Sequence, residues 1–413
     1  MLLRYSVENF KGFGSFQTLD MIATPRNEFQ ESLIQLNEKL NLNVNSNACV
    51  IGPNGSGKTH LLDSLAACSA VVLKRDFSEI VPFLLDDHSR NKPTSFSVTL
   101  YSTELNEFHV YSFSVFKNKV VSESLSVRKN ETSAREKLIF QRDADGVRFS
   151  QDLKLLEDFI VPNLDDGGLV VSFAASIKNN NIKFIHEWFE GVIYFNSDLV
   201  RVAGPDTVNT ILNKARNQMS KEWSDAANQF IDEFINDSCQ IIKSLGIKIE
   251  SLSVKNNEAG DSYLTITPQT KSNTKSSYTF EEAESFFSEG TFNVICLILI
   301  FNLLRANSKI ILLDEVDGSF HHKLTKAVID IFRRNHSKTQ FIVSTHDALL
   351  LDYKFRRDSI FTVTKDDNYN SIIKRVSEFS IRKDAKLSAK YFADEFGALP
   401  NIMSIPDSNT DEV

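Results

Sequence analysis

The run Gly52-Pro53-Asn54-Gly55-Ser56-Gly57-Lys58-Thr59 sets three glycines, a lysine and a hydroxyl in G-x-x-x-x-G-K-[ST] spacing. Glycines let backbone amides curl around phosphate oxygens, and a helix starting at the lysine adds the positive end of its dipole. In such a loop Lys58 reaches the β- and γ-phosphates of ATP, and the Thr59 hydroxyl joins the Mg²⁺ shell. Far along the chain, Ile310-Ile311-Leu312-Leu313 runs into Asp314 and Glu315. Two acids after an apolar strand are more often a solvated strand end. Beside a phosphate loop the balance reverses: Asp314 is placed to hold Mg²⁺ through water and Glu315 to polarise the attacking water. A second apolar strand, Phe341-Ile342-Val343, leads through Ser344 and Thr345 to His346, which is placed to hydrogen-bond a γ-phosphate. Ser288-Glu289-Gly290-Thr291 reads alone as an ordinary helix cap. Its position shortly before the two acids favours a phosphate contact by Ser288 and Gly290, made to the nucleotide of an opposite copy.

These residues need an α/β scaffold. Ala48-Cys49-Val50-Ile51 is a short strand before the loop, and His60 to Leu73 continues with helical spacing through Leu61, Leu62, Leu65 and Cys68. Leu2 to Phe10 alternates as a strand, and Lys11-Gly12-Phe13-Gly14 turns the chain. From Thr94 to Phe149 the period is two, with Phe96, Val98 and Leu100, then Tyr111, Phe113 and Val115, then Leu125 and Val127 on one face. Helical spacing dominates from Asp152 to Leu245, strongest from Phe230 on. A β-like stretch follows from Lys248 to Val254, and then a polar loop or hairpin from Lys255 to Ser277. Helices are predicted over 294–304 and 324–334, and strands over 310–313 and 340–343. The expected division is a first part of a nucleotide-binding domain over 1–93, a β lobe over 94–150 and a helical insertion with connecting strands over 151–277. The second part of the nucleotide-binding domain follows over 278–405, and an acidic tail over 406–413. No heptad array is present, which excludes long coiled-coil arms.

Composition narrows the class. A chain of 413 residues with 42% hydrophobic side chains can bury a large core, and its net charge of −8 gives no global positive field for nucleic acid. Locally, Lys354 to Lys390 holds ten Lys/Arg against five Asp/Glu. That excess suits either a solvated face or a polyanion contact. The four cysteines, Cys49, Cys68, Cys239 and Cys296, fit neither a disulfide framework nor a zinc spacing, and the adjacent His321 and His322 do not make a metal site with His346. With no signal peptide and no long apolar run, the expected location is the cytoplasm.

Taken in order, the motifs resemble prokaryotic ABC/SMC-like ATPases of the AAA family, relatives of RecF and of the ATPase half of OLD proteins. The group with RloA, AbiL-type abortive-infection ATPases and the AriA subunit of PARIS systems is especially similar. The residues that carry the resemblance are Val7 to Phe13, the phosphate loop, Ser288 to Thr291, Asp314 to His321 and Ser344 to Asp347. Phe355 to Asp358, Ile381 to Asp384 and Phe396 to Pro400 add to it. The resemblance implies an ABC/SMC-type P-loop fold, catalysis at Glu315 with His346 as the switch histidine, and contacts in trans from Ser288, Gly290 and the loop at Asp317. His322 stands where relatives usually carry proline, the signature is not the transporter form, and Gln141 is a weak candidate for the Q-loop. The stretch after His346 is too short for the TOPRIM nuclease of OLD proteins, so any nuclease is expected on another polypeptide. Two functions follow. One is an ATPase of an anti-phage defence system that dimerises around ATP and controls a separate effector. The other is a RecF-like repair ATPase acting on DNA.

Overall fold

The computed structural model describes residues 1–38, 41–173, 178–196, 209, 224–258, 261–271, 276–304, 309–315, 321–334, 339–382 and 385–399. In chain order the first half runs β1 (Leu2–Glu8), β2 (Gln17–Asp20), β3 (Leu33–Asn37), β4 (Leu42–Asn45), β5 (Asn47–Ile51) and helix α1 (Lys58–Lys74). An antiparallel series follows, β6 (Thr94–Ser102), β7 (Glu107–Phe116), β8 (Lys119–Lys129), β9 (Lys137–Asp143) and β10 (Gly146–Phe149), then α2 (Lys154–Ile160) and α3 (Asn180–Glu190). Next come β11 (Val192–Phe195), α4 (Ser224–Ser244), β12 (Ile249–Asn256), β13 (Ser262–Pro268), β14 (Tyr278–Thr279) and α5 (Phe280–Glu284). The last part is α6 (Glu289–Leu304), β15 (Ile310–Leu313), α7 (His322–Arg334), β16 (Gln340–Thr345), β17 (Ile360–Lys365), β18 (Ser371–Arg375) and α8 (Leu387–Phe392).

The central sheet has the order β11-β15-β16-β5-β17-β18, parallel except for β18. Its parallel strands are covered on both faces, which explains runs such as Ile310 to Leu313 in which no position is polar. Successive side chains enter opposite cores. Ala48, Val50, Ile310, Leu312 and Ile342 join the core that holds α1 and α3. Cys49, Ile51, Ile311, Leu313 and Val343 join the one that holds α4 and α6. Helix α6 lies inside this second core: every residue from Phe292 to Phe301 is buried, as its all-round apolar sequence requires. Helix α7 is one-sided instead, burying Thr325, Val328, Ile329 and Phe332.

Two expected boundaries move. The β lobe is not confined to 94–150, because β1 pairs antiparallel with β6 and the seven-stranded order is β10-β9-β8-β7-β6-β1-β2. Strand β6 supplies a free edge at which the N-terminal strand satisfies its backbone groups. Nor is 151–277 wholly an insertion, since β11 pairs parallel with β15 and completes the central sheet. The polar stretch after Lys255 is a hairpin excursion, with β13 returning along β12. All four cysteines are buried and none forms a disulfide.

Three arginines of the basic stretch between Lys354 and Lys390 are engaged within the fold, while Lys354, Lys374, Arg382 and Lys386 are exposed. Arg356 is fully buried, donating to the carbonyls of Thr24, Arg26 and Glu28 and to the Asp358 carboxylate. Arg357 donates to the carbonyls of Ile381 and Arg382, and Arg375 to those of Asp358 and Ile22. Burial pushes the Asp358 pKa up, but hydrogen bonds from Arg356 and Thr24 outweigh it and hold the carboxyl below its ordinary value. Arg356 and Arg375 tie the segment after β2 to the C-terminal part, so these two belong to neither a solvated face nor a polyanion contact.

Candidate nucleotide site

Strand β5 ends at Ile51, and the loop 52–57 carries the chain into α1 at Lys58. Gly57 precedes the helix at φ 112°, a left-handed conformation that a side chain resists. A Cβ on Gly52 would lie 2.2 Å from the Val363 carbonyl oxygen, so β17 closes against the loop only because no side chain is there. Lys58 is 4% exposed and folds its ammonium back over the loop, donating to the carbonyls of Gly52 at 2.9 Å and Pro53 at 3.2 Å. Asn54 and Gly55 face solvent, and Thr59 is half-buried in the first helical turn.

The register of the parallel strands brings the other groups alongside. Thr345 pairs with Ile51 and Val343 with Leu313, which sets Asp314 beside Ser344. The Ser344 hydroxyl donates to Asp314 Oδ1 and accepts the Glu315 N–H at 2.8 Å, fixing both acids at the strand end. Asp314 is 7% exposed and has hydroxyl donors on both oxygens, Ser344 on Oδ1 and Tyr194 on Oδ2. Among the described residues no basic side chain makes an ion pair with it. A buried carboxylate partnered by hydroxyls alone fits a divalent cation better than it fits a dry interior. Glu315 is exposed and left-handed at φ 48°, a costly backbone for a long side chain and one found often at reacting centres. His346 projects into solvent just past β16.

The structure therefore gathers residues 52–59, Asp314, Glu315 and His346 at the carboxyl ends of neighbouring strands, the usual ligand edge of an open parallel sheet. Ser288 and Gly290 are placed differently. Ser288 is exposed, shares a 2.8 Å hydrogen bond with the Thr291 hydroxyl, and opens α6. Neither it nor Gly290 bonds to the loop of its own chain among the described residues. Asp317, Pro400 and the tail 406–413 lie outside the described residues. Gln141 sits on β9, four strands from β1, with its amide directed to Asp143, and nothing ties it to the loop.

Several neighbours of the site carry no sequence motif. The Tyr194 hydroxyl, on β11, bridges Asp63 Oδ1 at 2.7 Å and Asp314 Oδ2 at 3.5 Å. Burial, with the Asp314 charge added, raises the Tyr194 pKa far above its ordinary value and keeps it a donor. Asp63 also binds Lys11 at 3.0 Å, and Lys11 reaches Glu79 at 2.9 Å. Asp63 lies one turn after Thr59 on α1, a spacing that hints at a shared face, but the partner strand β11 is far away in sequence. His322 opens α7 and contacts Asp347, the residue after His346.

Residues 48–352 match the family model described as an AAA domain, putative AbiEii toxin, type IV toxin–antitoxin system. The chain belongs to this family. No curated protein matches it. Among solved structures, an SMC head bound to the C-terminal winged-helix domain of ScpA is 13% identical, with 90% of this chain and 97% of that chain covered and a TM-score of 0.52. The SMC head domain from Thermotoga maritima is 15% identical over 91% of this chain and 98% of its own, with a TM-score of 0.40. The fold of this AAA-family chain is accordingly the ABC/SMC-type P-loop fold, with an antiparallel sheet beside the central one. No helix among the described residues is long and apolar enough to cross a membrane.

Proposed function

We propose that this AAA-family chain binds and hydrolyses MgATP at a site completed by a second copy, and that the cycle controls a separately encoded toxic effector, nuclease-like in chemistry, in anti-phage defence. The observation that carries the enzymatic part is the assembly of Lys58, Asp314, Glu315 and His346 at one sheet edge, while Ser288 stands exposed and Gly290 half-buried elsewhere on the same chain. In this reading Lys58 and the loop amides hold the phosphates, and Thr59 and Asp314 hold Mg²⁺. Glu315 takes the proton of the attacking water, His346 steadies the γ-phosphate, and Ser288 and Gly290 contact it from the partner copy, with Asp317 nearby in sequence to Glu315. Magnesium neutralises charge between the β- and γ-phosphates when bound. Effector control is supported by the family description, which concerns toxin–antitoxin proteins, and by an ATPase cycle whose output is a change of contact. DNA is the weaker partner in this reading because the net charge is −8 and three of the C-terminal arginines, Arg356, Arg357 and Arg375, bond to backbone carbonyls of the fold.

Co-expression with the neighbouring gene product, followed by size-exclusion chromatography with ATP, tests the reading. A stable complex whose composition changes in Glu315→Gln is expected. Tight ATP-dependent DNA binding with no co-eluting protein would replace it with the repair function.

A further inference from the structure

The hairpin β17–β18 lies against the phosphate loop and makes a continuous hydrogen-bond relay with it. Ser371 is fully buried. Its hydroxyl donates to the Ser56 carbonyl at 2.8 Å and accepts from Lys365 Nζ at 2.9 Å, while its own N–H donates to the Gly12 carbonyl at 2.7 Å. Two glycines from distant segments make room for it. A Cβ on Gly57 would stand 2.3 Å from Ser371 Oγ, and one on Gly12 would stand 2.8 Å from Ser371 Oγ and 2.9 Å from Lys365 Nζ. The Lys365 ammonium makes no ion pair among the described residues, so its charge points through the Ser371 hydroxyl at the loop.

We infer that Ser371 and Lys365 are positioning residues for phosphate binding, which aim and polarise the Ser56–Gly57 peptide of the loop. A trans peptide is planar, with its C=O and N–H pointing in opposite directions. Gripping the Ser56 carbonyl from the hairpin side therefore turns the Gly57 N–H away from the hairpin, to the side on which a P-loop takes phosphate. A cation behind the hydroxyl strengthens the chain of bonds and makes that N–H a better donor. Helix α1 and the glycine spacing are common to any such loop; the relay comes from the C-terminal part, so nucleotide affinity depends on a hairpin more than 300 residues later in the sequence.

The inference rests on residues 52–59 being a nucleotide site. Calorimetric titration of the full chain with MgADP, and steady-state hydrolysis of ATP, test it on four proteins: wild type, Ser371→Ala, Lys365→Met and Thr362→Val. Thr362 is buried in the same hairpin, but its hydroxyl meets the Lys374 carbonyl at 3.3 Å and not the loop. Loss of a hydrogen bond that orders a ligand group weakens ADP binding about tenfold in Ser371→Ala and about threefold in Lys365→Met, with KM rising in parallel and kcat changing less than about threefold. Thr362→Val keeps wild-type affinity. Wild-type affinity in Lys365→Met and in a folded Ser371→Ala overturns the inference, as does an equal loss in Thr362→Val. A wild-type chain that binds no nucleotide overturns the site itself.

Discussion

The phosphate loop and the Ser288–Thr291 corner are both glycine-bearing turns that open helices, yet the fold treats them oppositely. The loop is held at its base: Lys58, Ser371 and the Val363 backbone meet it at Gly52, Ser56 and Gly57, while Asn54 and Gly55 face solvent. The corner is open, with Ser288 exposed and bonded within its own turn, although the helix behind it is buried at every position from Phe292 to Phe301. A rigid, core-anchored helix that presents an exposed first turn is a fixed probe. Its donors are held ready for something outside the chain, while the loop already holds the geometry it needs. Under the proposed function, a half-site of each kind on one chain makes the complete site a property of two chains.

That contrast breaks most sharply at Lys58. Lys58→Ala removes the cation carried by the loop motif itself and should weaken ATP binding by more than about a hundredfold in calorimetry. Unchanged affinity would mean the loop is not the nucleotide site. Glu315→Gln keeps the shape of the acid without its basicity, so hydrolysis should fall about a hundredfold or more while binding persists, and ATP should drive a stable dimer in size-exclusion chromatography. Ser288→Arg probes the open half. ADP affinity should stay within about twofold, because the corner does not touch its own loop, while ATP-driven dimerisation and turnover fall by about tenfold or more. If Ser288→Arg weakens ADP binding in the monomer, the two halves are not separate. The smallest effect belongs to Tyr194→Phe, which leaves Asp63 and Asp314 without their shared donor. A rise of about threefold to tenfold in the Mg²⁺ concentration for half-maximal activity is expected, from the loss of about 1 kcal/mol of hydrogen bonding.

What could be read in advance follows from the range of each cause. The phosphate loop, the acids at 314 and 315, the histidine at 346 and the strands and helix behind them are local patterns, and observed elements such as α1, β15 and β16 fall where the spacing put them. Phe96, Val98 and Leu100 share a buried face as their alternation requires. The parts that escaped depend on partners distant in sequence. Val192 to Phe195 is four residues among helices, and only the free edge of β15 makes it a strand. Tyr194, Asp63, Lys365 and Ser371 belong to common residue types, and their meaning appears only once β11 and the β17–β18 hairpin flank the loop. The basic count from Lys354 to Lys390 left two readings open for the same reason, since counting charges does not separate the exposed Lys374 from Arg356 with its carbonyl partners inside.

The strand order has a consequence for how the chain is made. Strand β5 is made before β6 to β15, but its two neighbours in the sheet, β16 and β17, are made after them. Until then β5 shows two unpaired edges and both apolar faces, a surface that invites aggregation. The nascent chain thus carries its phosphate-binding sequence long before it has the means to use it, and an interrupted product could not act as a nucleotide sink. The site is acquired only once the strands that flank β5 have been made.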